Sequence, residues 1–149
     1  MDPIPSRPAI AGPHRTLLSV LEQWVPLPDI TPSYYHALAI ALSILFLYTN
    51  ASVYKIAIVG VILLVDWLDG ATARRYDRYR RSGYIIDVVT DRVSEAFVFS
   101  AEAGMALGRI FFILWVINSA LTFYSVYSNK HTSLPLRFAY LIILILQNV

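Results

Sequence analysis

Apolar residues fall into five long runs separated by short polar breaks, and this pattern predicts helices rather than strands. The runs are Pro32–Tyr48, Val53–Arg74, Gly83–Ala103, Arg109–Ser128 and Leu134–Val149. Each approaches the roughly 20 mostly apolar residues that a helix needs to cross a bilayer core of about 30 Å. The breaks lie at Thr49-Asn50, 75–82, 104–108 and 129–133. Ahead of the first run, Leu17, Leu18, Leu21, Trp24 and Val25 recur at helical spacing, with Ser19, Glu22 and Gln23 opposite. That stretch predicts a short amphipathic helix lying at the membrane surface. Residues 1–14 are Pro-rich and form a flexible lead without the layout of a signal peptide. The expected organisation is therefore a lead over 1–14, an interfacial helix and linker over 15–30, and a transmembrane domain over 31–149. The fold class is an all-α polytopic membrane helix bundle.

Composition agrees with this reading. Of 149 residues, 57% are hydrophobic and 15% charged, against about 25% charged in an ordinary soluble domain. The formal charge is only +2, which sets nucleic-acid binding aside. The chain has no cysteine, so disulfides and thiolate metal sites are excluded. Arginines crowd the second break (Arg74, Arg75, Arg78, Arg80, Arg81), and Lys130, His131 and Arg137 surround the fourth. The positive-inside rule places both breaks and the N-terminus in the cytosol. Tyrosines such as Tyr34, Tyr48, Tyr76 and Tyr127 sit near the run ends, as interfacial anchors do.

Six of the ten acidic residues lie in or against the apolar runs: Asp66, Asp69, Asp87, Asp91, Glu95 and Glu102. A carboxylate at bilayer depth costs about 2.5–3.5 kcal/mol even on mild scales, and such groups mark function. Asp66 and Asp69 share a helix face, followed by Gly70, Ala73 and Arg74; Asp87 and Asp91 share a face of the next helix. With the two helices as antiparallel neighbours, four carboxylates converge near the cytosolic boundary. Their mutual repulsion calls for a bound cation. Oxygen ligands, with no cysteine and no histidine judged to be placed for it, favour Mg²⁺, Mn²⁺ or Ca²⁺. Nearby arginines suit phosphate oxygens. The residues thus predict a metal site for a phosphorylated substrate at the membrane surface. Lys55 and Arg109 read as snorkelling end residues, and Glu102 as interfacial. Arg92 and Glu95 pair with each other or with the loop arginines. A divalent-cation transporter using the same carboxylates is the competing reading.

The run Asp66-x-x-Asp69-Gly70-x-x-Ala73-Arg74, then eight residues, then Gly83-x-x-x-Asp87-x-x-x-Asp91 resembles the complete signature of the CDP-alcohol phosphotransferases. Ile30-Thr31-Pro32-Ser33 is similar to that family's entry into its first spanning helix. The resemblance implies an integral membrane enzyme of phospholipid synthesis. Such an enzyme moves a phosphatidyl-type group from a CDP-linked lipid to a small alcohol acceptor and releases CMP. It implies Asp66, Asp69, Asp87 and Asp91 as ligands of Mg²⁺ or Mn²⁺, Asp91 also as catalytic base, and Gly70, Ala73 and Arg74 as contacts of the cytidine diphosphate. Arg137 is either a further phosphate contact or an interfacial anchor. The partners implied are the CDP-lipid donor, the acceptor, membrane lipids and a second copy in a homodimer, with no nucleic acid. Localisation is the cell membrane, multi-pass, with the active site facing the cytosol. Asp91-Arg92-Val93-Ser94-Glu95 is similar to the branch that uses inositol phosphate; glycerol phosphate and serine are the alternative acceptors. Five spans stand against the family's usual six, so a fragment, or a non-catalytic member shortened at its C-terminal end, is also expected.

Overall fold

The structure is a computed structural model that describes residues 25–76, 81–128 and 134–148, with the side chains of Arg81 and Ser82 left aside. The expected interfacial helix lies almost entirely outside the described residues, as do Arg78, Arg80, Lys130 and His131. The described residues form five α-helices and no strand: α1 (Pro32–Leu47), α2 (Ser52–Arg75), α3 (Arg81–Ala101), α4 (Ala106–Ser128) and α5 (Leu136–Leu146). Their bounds follow the apolar runs to within a few residues. The fifth is shorter than its run, and the fourth begins three residues early.

Local chemistry sets these bounds. Thr31 is extended and Pro32 opens α1, where its missing N–H is not needed. Asn118 caps the entry to α5 from across the bundle. It accepts from the Leu134 N–H at 2.7 Å and donates to the Leu134 carbonyl at 3.1 Å. The tight turn between α3 and α4 requires Gly108, because a Cβ there would overlap the main chain of Glu102.

α2 and α4 are long and apolar enough to cross a bilayer; α1 and α5 are shorter apolar helices. At 1.5 Å per residue, α2 spans about 36 Å. Large apolar side chains are exposed on the outer faces, among them Leu38, Leu64, Ile113, Val116, Leu121 and Ile142. An outward apolar surface of this kind fits a helical membrane bundle.

The core gathers Phe46, Ile62, Val98, Phe99, Phe111 and Tyr140. Tyr140 meets Phe99 and Phe111 edge-on, with ring centres 5.5 and 5.2 Å away. Beside this core Lys55 pairs with Glu102, which is only 3% exposed, and lies 5.6 Å from the Phe46 ring centre. Lys55 therefore does not snorkel and Glu102 is not an interfacial residue. A buried carboxylate must be matched by a cation, and Lys55 is within reach.

One expectation about packing changes. α2 and α3 run antiparallel, as the Lys55–Glu102 pair at one end and their motif residues at the other show. Their main packing, however, is not on each other. α1 packs against both, α5 packs on α2, and α4 packs on α3. Ser43 of α1 and Ser94 of α3 are hydrogen-bonded at 2.6 Å in the α1–α3 seam. The space between α2 and α3 is left to their acidic side chains and to His36 and Arg137 reaching in from α1 and α5. The segment before α1 is tied to the far end of α2: Tyr76 Oη donates to the Leu27 carbonyl at 2.9 Å and Arg75 to the Val25 carbonyl at 3.2 Å.

Candidate functional site

Helical geometry sorts the four aspartates into two tiers. Asp66 and Asp69 are about 60° apart around α2, and Asp87 and Asp91 about 40° apart around α3. Because the helices are antiparallel, Asp69 stands level with Asp87 towards the C-terminal end of α2, and Asp66 with Asp91 about 5 Å deeper.

The deeper tier is organised by Arg137 of α5, which is 4% exposed. One amino group of its guanidinium donates to Asp66 Oδ2. The other donates to Asp91 Oδ1 at 2.6 Å and to the Asp91 carbonyl at 3.2 Å. Its Nε lies 3.5 Å from Glu95 Oε1. Arg137 is thus no interfacial anchor; three carboxylates surround it at depth. Glu95 also takes Arg92, at 2.8 and 3.1 Å. Of the two options left by the sequence for Arg92 and Glu95, the structure shows the mutual pair. The Arg92 carbonyl in turn accepts from the Trp115 indole at 3.0 Å, which ties this part of α3 to α4.

The shallower tier contains a histidine that the sequence reading passed over. His36 of α1 places Nε2 3.5 Å from Asp69 Oδ2 and 3.6 Å from Asp87 Oδ1. The three residues could together hold a metal ion. Beside the all-oxygen set expected from the sequence, the structure thus places a nitrogen donor within reach of Asp69 and Asp87. The missed signal was a lone imidazole in an apolar helix, at the same end of the bundle as the aspartates. His36 Nε2 and Asp69 Oδ1 are both buried without a hydrogen-bond partner. Orphaned buried polar atoms call for an explanation, and a cation between them supplies one. The residues present therefore fit a divalent ion.

Near the C-terminal end of α2, the Arg74 guanidinium folds over Gly70: a Cβ on Gly70 would lie 3.2 Å from its Nη1. Ala73 is half-buried and Arg74 exposed. Across from them Gly83 has no atom near the position a Cβ would take, so it faces open space. The structure thus brings Asp66, Asp69, Asp87 and Asp91 to one end of the bundle, in two pairs, with Gly70, Ala73, Arg74 and Gly83 bordering the shallower pair.

The family model for CDP-alcohol phosphatidyltransferases matches residues 28–146. The chain belongs to that family. Its members are transferases of phospholipid biosynthesis that use a CDP-alcohol donor and an alcohol acceptor and depend in general on divalent metal. Neither the curated proteins nor the solved structures returned a match. The family supports phosphatidyl transfer from a CDP-alcohol in general, and together with the two long apolar helices it points to a membrane protein.

Proposed function

We propose that this chain transfers a phosphatidyl group from a CDP-linked lipid to a small alcohol and releases CMP, from a site on the cytosolic side of a multi-pass bundle. The supporting observation is the two-tier arrangement of four aspartates in a chain of this family. Arg74 and Arg75 at the same end of α2 favour the cytosolic orientation.

In this reading Asp69 and Asp87, together with Asp66 and Asp91 through the carboxylate oxygens that Arg137 does not take, would hold Mg²⁺ or Mn²⁺. Such an ion would supply positive charge for the pyrophosphate and the departing CMP oxygen. Gly70, Ala73 and Arg74 hold the cytidine diphosphate. Gly83 leaves room opposite for it, and the Arg74 fork suits phosphate oxygens. Phosphoryl transfer depends more on such positioning and charge neutralisation than on covalent help. Asp91 is the base. Arg137 fixes its Oδ1 and main-chain oxygen, so the carboxylate is held in one orientation as it takes the acceptor's proton. The acceptor oxygen then forms a bond to the phosphatidyl phosphorus. The pyrophosphate P–O bond breaks, and its electron pair leaves with CMP. The exposed apolar outer faces hold the lipid tails in the bilayer while a water-soluble acceptor reaches the site from the cytosol.

Product analysis tests this reading. Purified chain in liposomes receives CDP-diacylglycerol with inositol phosphate, glycerol phosphate, serine or inositol. The Asp91–Glu95 pattern makes inositol phosphate the first expectation. A new phospholipid with an equal amount of CMP from one acceptor supports the proposal. Nucleotide-free metal flux without any new lipid overturns it.

A further inference from the structure

We propose that His36 is a direct ligand of the divalent ion in the shallower tier, and that its nitrogen makes this seat prefer Mn²⁺-type transition ions to Mg²⁺. The inference rests on the reading that Asp69 and Asp87 bind metal, and it adds a residue and a metal class to that reading.

Distance carries the argument first. Nε2 stands 3.5 and 3.6 Å from one oxygen each of Asp69 and Asp87. That is too long for good hydrogen bonds. Two ligands each about 2.1 Å from one ion, however, lie about 3–4.2 Å apart. The ligand atoms of all three residues lie within 4.8 Å of one another. Modest closure around an ion brings them to bonding distance.

Unmet bonding capacity is the second point. Asp69 is only 8% exposed, and its Oδ1 has no hydrogen-bond partner; His36 Nε2 has none either. The deeper tier differs, because Arg137 already supplies a cation to Asp66 and Asp91. Both tiers present two carboxylates. One is closed by a guanidinium, which carries only donors. The other is closed by an imidazole, whose ring nitrogen can ligate.

Ligand chemistry sets the preference. Mg²⁺ favours oxygen ligands and retains water, whereas imidazole suits first-row transition ions. Replacing a water or carboxylate by Nε2 therefore raises affinity for Mn²⁺ and its heavier neighbours relative to Mg²⁺.

The test uses the full chain in lipid nanodiscs with Mn²⁺ alone and no nucleotide. Electron spin-echo spectroscopy of the bound Mn²⁺ is expected to show ¹⁴N coupling that changes to the ¹⁵N pattern when histidine is labelled. The chain has three histidines, so His36→Gln assigns the signal. That variant is expected to lose the coupling and to lower the Mn²⁺-to-Mg²⁺ affinity ratio about tenfold. If that variant does not fold, His14→Gln and His131→Gln, which leave His36 in place, assign the signal instead: coupling that persists in both supports His36, and coupling lost in either overturns it. Three further results overturn the proposal: no bound Mn²⁺, bound Mn²⁺ without nitrogen coupling, or coupling that persists in His36→Gln. CMP release without nitrogen coupling overturns only the His36 assignment. Nitrogen coupling in a chain that releases no CMP supports the assignment and counts against the transferase reading instead.

Discussion

Replacing Arg137 by methionine keeps much of the side chain's bulk and removes the cation shared by Asp66, Asp91 and Glu95. Two of its hydrogen bonds run to carboxylates, one to Asp66 and one of 2.6 Å to Asp91. Bonds of this charged kind contribute about 1.5–3 kcal/mol each. Asp66 and Asp91 are each 31% exposed, so water takes over part of the loss, and Glu95 keeps Arg92. The net cost is then about 3 kcal/mol, the lower end for breaking a buried pair. In a chain of this size each kcal/mol moves the melting midpoint by about 2–4 °C, which gives a drop of about 6–12 °C. The assay is thermal unfolding in detergent, with chelator and with Mn²⁺. The variant leaves two carboxylates facing an open seat, so Mn²⁺ is expected to raise its midpoint more than that of the native chain. At a hundredfold excess over its dissociation constant an ion contributes about 2.7 kcal/mol, enough to recover most of the loss. A midpoint within about 2 °C of the native chain in chelator would refute the reasoning, as would equal responses to Mn²⁺.

Asp91→Asn is expected to keep the helices and lose about 10²–10⁴-fold in the rate of CMP release, measured beside circular dichroism of the same sample. Lys55→Met leaves Glu102 buried without its cation and is expected to cost about 3–5 kcal/mol in urea unfolding; adding Glu102→Gln should return a large part of that. Gly108→Ala forces the 102–106 turn to move and is expected to cost about 1–3 kcal/mol, read as a lowered melting midpoint.

Most of the bundle could be read from the sequence because apolar runs of bilayer length leave few alternatives to helices. The motif residues were legible for the same reason. A carboxylate inside such a run is costly, so Asp66, Asp69, Asp87 and Asp91 stand out one by one. What could not be read was which helices bring partners to them. His36 and Arg137 lie 33 and 71 residues away in the chain from the nearest aspartates they meet in α2, Asp69 and Asp66. Their approach depends on α1 and α5 packing against α2, which periodicity does not encode. Lys55 shows the same limit. A lysine near a helix end reads locally as a snorkelling residue, and only the three-dimensional approach of Glu102 gives it a buried partner.

Chelator-dependent CMP release tests the central claim most directly. The native chain in liposomes with CDP-diacylglycerol and its preferred acceptor is expected to release CMP only with a divalent ion present. Asn at Asp66, Asp69, Asp87 or Asp91 is expected to reduce that release to background. Release that persists in excess chelator, or that survives these four substitutions, would contradict the account.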